Sequence, residues 1–202
     1  YPALEGLREI AKSGEYRRIP VCRELYSDRY TPVEVMRTLR TASRHCYLLE
    51  SASQTEVWGR YSFLGYEPSM EITCTDGTLQ IRKIHEDGSE EKTVQQVKHP
   101  GDAIRQIRKI HEDGTEEITK QQVKHPGDAI RKILKEYKSP VLEKMPTFTG
   151  GLVGYFSYDY IKYSEPKLEL TDKTVEDFRD MDLMLFDQVI AFDHYRQKVL
   201  LI

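Results

Sequence analysis

Glu50 and Ser51 place a carboxylate and a hydroxyl directly after a short apolar run, Cys46 to Leu49. Such a run is typical of a buried strand, which would hold both polar groups at its end in fixed geometry. A carboxylate accepts hydrogen bonds from an ammonium group and a serine hydroxyl both donates and accepts, so the pair suits a small polar ligand. The alternative, which composition alone favours, is a strand that ends in a solvated Glu-Ser turn.

The histidines and cysteines do not combine into a predicted catalytic or metal site. Of the six histidines, four belong to a repeated segment and lie beside predicted turns, where solvated loop histidines are the simpler interpretation. Cys46 and His45 are neighbours on a strand and point to opposite faces, so they cannot act as a nucleophile and its base. Asp193 and His194 lack a third ligand. Three scattered cysteines favour reduced thiols and a cytoplasmic protein.

The segment from Gly150 to Asp159 is rich in glycine, but it lacks the lysine and the serine or threonine of a phosphate-binding Walker loop. It does not match the dinucleotide-binding pattern either. We predict a strand whose glycines let another backbone approach closely, with Tyr155, Tyr158 and Tyr160 packed around it.

Composition narrows the class of protein. The formal net charge of −3 gives no positive field for a phosphate backbone, so nucleic acid is not an expected partner. No apolar run approaches the roughly 18 residues of a membrane span, so a membrane is not expected either. The 202 residues suffice for one domain, residues 1–202. The chain starts at Tyr1 and ends inside a predicted strand, which suggests a piece of a longer protein.

Two helices are predicted ahead of the first apolar strand. Leu4 to Ala11 has the apolar spacing of a helix face. The second helix has a marked start, because Thr31 can cap it, Pro32 suits its first turn and Glu34 completes a capping box.

Antiparallel strands follow. Arg60 to Gly65 is one, and Asp76-Gly77 favours a two-residue hairpin turn. Leu183 to Asp193 and Lys198 to Ile202 are predicted as two more. The register of the hairpin turn gives the apolar pairs Cys74 with Leu79 and Ile72 with Ile81. At least seven strands and three or four helices indicate an α+β fold.

Residues 80–105 and 106–131 are tandem copies with a period of 26. Two copies are too few for a repeat fold, so we interpret them as a duplication inside the domain, natural or engineered. The copies differ at only three pairs of positions: Ser89 and Thr115, Lys92 and Ile118, Val94 and Lys120.

Only one copy can fill a given place in the sheet. A turn at Asp87-Gly88 would pair Ile81 with Val94, whereas the equivalent turn in the second copy would pair Ile107 with Lys120 and Ile118 with Lys109. The first copy is therefore the better strand pair. The second is the better helix, since its apolar stripe continues beyond residue 131. We predict an excursion from about 95 to 126, with a local hairpin or an extra helix turn at Asp102–Ile110 as alternatives.

Three motifs in order carry a family resemblance: Leu48 to Ser51, Gly59 to Gly65, and Gly150 to Asp159. Together they resemble the N-terminal domain of anthranilate synthase component I, from about Tyr16 to the end of the chain apart from the duplication. The resemblance implies two layers of antiparallel sheet, a sandwich, with helices packed outside. It implies no catalytic residue here, and it assigns this domain the tryptophan feedback site of tryptophan biosynthesis.

The resemblance also implies which residues bind tryptophan. Glu50 and Ser51 match the tryptophan-binding motif of the family, and Arg60 matches a position where the family places a cation in the same pocket. Glu50 would accept from the ammonium of the amino acid, and Arg60 and Ser51 would donate to its carboxylate. The alternative for Arg60 is a surface cation without a ligand. Further candidates are Leu49, Tyr61 and Ser62.

In this family the C-terminal domain binds chorismate and Mg²⁺, and a glutamine amidotransferase subunit, component II, supplies ammonia. The resemblance thus implies that the parent protein is a lyase. The present chain would have no cofactor, would be inactive alone, and would bind tryptophan weakly or not at all. Two alternatives remain open, namely aminodeoxychorismate synthase component I and a stand-alone amino-acid-binding module.

Overall fold

The computed structural model describes residues 1–51, 59–85, 87–96, 107–110, 116–119, 126–165 and 178–202. In this part of the chain there are three α-helices, α1 (Leu4–Lys12), α2 (Pro32–Ala42) and α3 (Pro126–Glu136), and a 3₁₀-helix, Tyr158–Tyr163. The strands are β1 (Arg23–Tyr26), β2 (Cys46–Leu49), β3 (Tyr61–Tyr66), β4 (Met70–Thr75), β5 (Thr78–Ile84), β6 (Glu90–Gln96), β7 (Ile107–Ile110), β8 (Glu116–Thr119), β9 (Gly151–Phe156), β10 (Met181–Phe186), β11 (Val189–Asp193) and β12 (Lys198–Leu201). The predicted α+β class with antiparallel sheets is confirmed.

The described residues form two compact units. The first, residues 1–68, 134–151 and 186–202, contains a five-stranded sheet in the order β1-β12-β11-β3-β2. The second, residues 69–133 and 152–185, contains nearly all of a seven-stranded sheet in the order β8-β7-β6-β5-β4-β10-β9. The single domain expected from chain length stays a prediction.

Helix α2 covers one face of the five-stranded sheet. Its predicted capping box is confirmed, since the Glu34 N–H donates to the Thr31 hydroxyl over 3.3 Å and the Thr31 N–H donates to the Glu34 carboxylate over 3.0 Å. Leu39 then packs with Leu64, Phe192 and Val199 in a buried cluster. The cap therefore fixes where the helix begins, and the apolar cluster fixes which face it buries.

The opposite face of the same sheet is also covered. Ala191 and Leu200 are buried there with Cys22, and Tyr61 and Phe63 pack against them. Side chains alternate between the two faces along a strand. Along β3, Ser62 therefore belongs to the α2 face, and Tyr61 belongs to the face opposite α2.

The predicted strand from Leu183 to Asp193 is wrong, because two strands occupy this segment. β10 pairs with β4 in the seven-stranded sheet, and β11 pairs with β3 and β12 in the five-stranded sheet. Both strands are buried and therefore apolar, so only the polar pair Asp187-Gln188 indicates where β10 ends and β11 begins. When the residues on both sides of a break are apolar, the pattern of apolar residues does not reveal where one strand ends and the next begins.

The first hairpin of the seven-stranded sheet follows its turn chemistry. Asp76 and Gly77 both have positive φ, 44° and 76°, as a two-residue type I′ turn requires. The predicted pairs, Cys74 with Leu79 and Ile72 with Ile81, are confirmed. Three of these four side chains, Cys74, Leu79 and Ile72, are fully buried.

The second hairpin has a different register from the predicted one. Ile81 pairs with Thr93, and Val94 pairs with Gln80. His85 donates its N–H to the Ser89 carbonyl over 2.9 Å, which leaves a three-residue loop in which Gly88 adopts a φ of 83°. A loop with one more residue slips the strand by one position and reverses its faces.

Both copies of the duplication contribute to the structure. As predicted, the first copy lies in the sheet, within β5 and β6, and the second copy provides the start of α3. The second copy also adds β7 and β8 to the sheet as a hairpin, which overlaps the predicted local hairpin at Asp102–Ile110 only over β7. Its predicted register is wrong by the same single step, since Ile107 pairs with Thr119 and Lys109 with Glu117. The rest of the expected excursion lies outside the described residues.

Strand β9 contains the glycine-rich segment, and its glycines serve close backbone packing as predicted. A Cβ atom on Gly154 would lie 2.0 Å from the Asp182 carbonyl oxygen. Tyr160 packs on Phe156, with ring centroids 4.8 Å apart. The predicted packing of Tyr158 is wrong, because its side chain is 88% exposed at the start of the 3₁₀-helix.

Candidate functional site

The predicted site residues lie at one end of the five-stranded sheet. Glu50 follows β2, Arg60 precedes β3, and Asp193 ends β11. The registers bring these ends together, because Leu49 pairs with Phe63 and Tyr61 pairs with Asp193. We call this region the strand-end site.

On the α2 face, Ser62 connects two polar side chains. Its hydroxyl donates to the Glu50 carboxylate over 3.3 Å and lies 2.7 Å from Nε2 of His194. A hydroxyl has one proton, so a bond from Ser62 to Glu50 requires His194 to donate from Nε2. Ser62 is only 3% exposed, and the backbone N–H of His194 donates to the Arg60 carbonyl over 2.9 Å. The Glu50 carboxylate is therefore held by a buried, ordered partner.

Arg60 forms a bidentate ion pair with Asp193, with N–O distances of 3.1 and 2.7 Å. Asp193 is 3% exposed and also accepts from the backbone N–H groups of Tyr195 and Arg196. Burial opposes the ionisation of Asp193, but the hydrogen bonds from Arg60 and the backbone outweigh it and keep its pKa below the ordinary value. The guanidinium also lies over the Tyr61 ring, 4.8 Å from its centroid. Arg60 is thus a fixed cation with a buried counter-ion.

The predicted residues divide between the two faces of the sheet. Glu50 and Ser62 are joined on the α2 face, whereas Tyr61 lies on the opposite face. Arg60 pairs with Asp193, the register partner of Tyr61. Leu49 is 46% exposed at the end of β2, and Ser51 is exposed just beyond it.

A cavity of about 450 Å³ adjoins Arg60 and Tyr61 on the face opposite α2. Its volume falls within the roughly 300–1,000 Å³ of small-molecule sites. The charged groups that line it have both signs: Glu24, Arg60, Glu143, Lys144, Asp193, Arg196 and Lys198. A ligand with both an ammonium and a carboxylate could find partners at this end of the sheet.

Sequence reasoning missed Asp193 and His194 as members of the site. In the sequence they are two neighbours without a third metal ligand, but each contacts a residue more than 130 positions earlier in the chain. The informative signal is the pairing of β3 with β11, which a single sequence does not reveal.

The described residues contain no group of three or more His, Cys, Asp or Glu side chains that could hold a metal ion. The Mg²⁺ implied by the family resemblance therefore has no ligand set among them. None of the helices in the described ranges is both long and apolar enough to cross a membrane.

Comparison with known proteins gives a consistent set of relatives, although no protein-family model matches the chain. Anthranilate synthase component 1 of Acetivibrio thermocellus is 29% identical over 98% of this chain and 33% of its own length. The protein of the same name from Acinetobacter calcoaceticus is 30% identical over 96% of this chain and 34% of its length. Anthranilate synthase alpha subunit 1, chloroplastic, of Arabidopsis thaliana is 31% identical over 91% of this chain and 28% of its own length.

The crystal structure of anthranilate synthase component I from Streptococcus pneumoniae covers 91% of this chain and 30% of its own, with 21% identity and a TM-score of 0.42. The chain spans about a third of the length of the curated relatives that it matches. By sequence, this chain is a relative of the anthranilate synthase component 1 proteins and corresponds to about a third of their length.

Proposed function

We propose that this chain is the N-terminal regulatory domain of an anthranilate synthase component I and that its strand-end site binds tryptophan as a feedback inhibitor. The observation that carries the proposal is the contact between Ser62 and Glu50, which fixes a carboxylate at an exposed strand end. The names of the curated relatives support the enzyme class.

The chemistry of the site suits an amino acid that lies across the end of the sheet, because Glu50 contacts Ser62 on the α2 face and Arg60 pairs with Asp193 on the opposite face. The Glu50 carboxylate can accept from the ligand ammonium, because Ser62 holds it through only one of its two oxygens. Arg60 has five N–H donors, and the ion pair with Asp193 engages two of them. The donors that remain, together with the Ser51 hydroxyl, can bind the ligand carboxylate. Leu49 and Tyr61 offer apolar and aromatic surface to the indole ring.

The activity of the whole protein follows from the same proposal. A C-terminal chorismate-binding domain would convert chorismate and ammonia into anthranilate, pyruvate and water, and component II, a glutamine amidotransferase, would supply the ammonia. Tryptophan would inhibit by binding one arrangement of the two domains more tightly than the other. We place this lyase in the cytoplasm, because the three cysteines are free thiols.

Inhibition curves of the whole enzyme test this function. Glu50→Ala or Ser51→Ala should raise the tryptophan concentration that halves activity, and should leave uninhibited turnover nearly unchanged, because neither residue belongs to the chorismate site. Glu9→Ala, on the exposed surface of α1, is the matched control. Superimposable inhibition curves for parent, Glu50→Ala and Ser51→Ala would refute the proposal.

A further inference from the structure

Ser62 lies between two groups that compete for its only hydroxyl proton. Its Oγ atom is 3.3 Å from Oε1 of Glu50 and 2.7 Å from Nε2 of His194. An ionised carboxylate can only accept, whereas a ring nitrogen of histidine accepts when it has no proton and donates when it has one. The protonation of His194 therefore decides which of the two neighbours receives the Ser62 proton.

The surrounding backbone and a neighbouring ring hold this arrangement. Ser62 pairs with Phe192 in the sheet and is 3% exposed, so its hydroxyl has little access to water. The backbone N–H of His194 donates to the Arg60 carbonyl over 2.9 Å. The imidazole also stacks on the Phe192 ring, with ring centroids 6.5 Å apart. The histidine ring is thus held next to Ser62.

The three protonation states of His194 affect Glu50 differently. With a proton on Nδ1 alone, Nε2 accepts the Ser62 proton and Glu50 loses this donor. With a proton on Nε2 alone, His194 donates to Ser62 and Ser62 donates to Glu50. With both protons the same bonds form and the ring is positively charged. Only this last state places a cation two hydrogen bonds away from the Glu50 carboxylate.

The charged groups around His194 come from several elements. Glu50 follows β2, and Arg60 precedes β3 and pairs with Asp193. Arg196 lies in the same turn as His194, and its backbone N–H donates to Asp193. Helix α2 packs apolar side chains on this face and leaves its charged ones exposed: Val35, Met36 and Leu39 against Glu34, Arg37 and Arg40. Because Arg60 already neutralises Asp193, Glu50 is the carboxylate that a charge on His194 affects most directly.

We propose that His194 is a positioning residue that links the strand-end site to a proton: protonation of His194, relayed through Ser62, weakens the binding of a ligand ammonium by Glu50. The effect on binding rests on the proposed tryptophan function, whereas the link between His194 and Glu50 does not. An ammonium at Glu50 and an imidazolium next to Ser62 are both cations and repel each other. Because histidines change charge between pH 5 and 8, the affinity for an amino acid should fall as the pH falls through this range.

A pH titration of the ligand-free chain by nuclear magnetic resonance tests the link between His194 and Glu50. The amide signals of Glu50 and Ser62 should move between about pH 8 and about pH 5.5 in step with the ring signals of His194. His194→Gln should remove this movement, because an amide can donate to Ser62 at every pH and carries no charge. His85→Gln, in the loop between β5 and β6, is the matched control and should keep it. Glu50 and Ser62 signals that ignore the ring titration would overturn the proposal.

The same spectra recorded with L-tryptophan test the effect on binding. The dissociation constant of the parent should be roughly three- to tenfold higher at about pH 5.5 than at about pH 7.5, a modest change because Glu50 and His194 are exposed and screened. In His194→Gln the constant should be the same at the two pH values. A parent constant that does not depend on pH, or a dependence that survives in His194→Gln, would overturn the proposal.

Failure of the tryptophan function has a different signature. In that case L-tryptophan would shift no signal of the strand-end site at any pH, while the Glu50 and Ser62 amides of the ligand-free chain would still follow the titration of His194. This result would refute tryptophan as the ligand and support the link between His194 and Glu50. The dispersion of the amide signals verifies in each variant that the fold is retained.

Discussion

At the scale of single residues, the buried pair of Asp193 and Arg60 supports the strand-end site. Asp193 accepts four hydrogen bonds, two from Arg60 and two from the backbone that follows β11. Loss of its charge would leave Arg60 without its counter-ion and would weaken the turn that positions His194. The two parts of the site are therefore coupled through Asp193 and its neighbour in sequence.

Asp193→Asn should lower the free energy of unfolding by about 1–3 kcal/mol, because the amide cannot accept all of these bonds from a cation and two N–H groups. Urea denaturation of the parent and the variant measures the difference. Asp28→Asn is the matched control, since Asp28 is exposed, and its effect should be close to zero. Equal losses in the two variants would contradict the account of Asp193.

The pH dependence of stability follows from the same residue. The pKa of Asp193 is lower in the folded chain than its ordinary value, so its contribution is present above about pH 4 and is lost as the pH falls through the folded pKa. The free energy of unfolding of the parent should therefore decrease on acidification below about pH 4. Asp193→Asn should decrease less steeply over the same window. Parallel pH profiles would contradict this assignment.

At the scale of elements, Gly65 and Tyr47 show why β2 and β3 fit together. The two residues face each other in the register, and a Cβ atom on Gly65 would lie 2.2 Å from a ring carbon of Tyr47. Tyr47 in turn packs edge-on against Phe186, with ring centroids 4.8 Å apart. The glycine leaves room for a ring that closes the face opposite α2.

Gly65→Ala should destabilise the chain by about 1–3 kcal/mol, because the ring of Tyr47 must move out of a packed cluster. Gly6→Ala is the control, since Gly6 lies in α1 and its added Cβ would come no closer than 3.7 Å to Pro2. This helical substitution should stabilise by about 0.5–1 kcal/mol. Thermal unfolding of both variants measures these changes in stability. An unchanged stability of Gly65→Ala would contradict the close packing of Tyr47 on Gly65.

The cap of α2 gives an independent test of an element. Thr31→Ala removes the acceptor for the Glu34 N–H and should cost about 1 kcal/mol. Thr38→Ala, in the middle of the same helix and exposed, removes a hydroxyl that caps nothing and should cost less. Denaturant midpoints compare the two, and equal shifts would show that the cap contributes little.

The local signals at Thr31 and at Asp76-Gly77 were predicted correctly, whereas the turn at Asp87-Gly88 and the pairing of distant strands were not. The capping box at Thr31 and the turn at Asp76-Gly77 depend on residues that are close in sequence, so their chemistry is visible in the chain itself. The slip of β6 depends on one extra loop residue before Ser89, and the break at Asp187-Gln188 depends on which sheet receives each strand. Glu50 is a candidate because it follows the apolar run of β2, whereas Ser62 is a candidate only through the family resemblance. The contacts of Arg60 with Asp193 and of Ser62 with His194 depend on the pairing of β3 with β11, which a single sequence does not reveal.

At the scale of the whole molecule, the strand-end site and the duplicated segment lie in different compact units. The first unit contains the strand-end site, and the second contains the described residues of both copies. A substitution in the duplicated segment should therefore leave the tryptophan affinity of the strand-end site unchanged, since sites without shared partners behave additively.

Nuclear magnetic resonance titration of the full chain with L-tryptophan tests the central claim most directly. Amide signals next to Glu50, Ser62 and His194 should shift and saturate, because these residues lie in the proposed tryptophan site. Glu50→Gln should remove the effect and Glu9→Gln should not. Absence of any shift at these three residues, or identical shifts in Glu50→Gln, would contradict the assignment of the strand-end site as a tryptophan site.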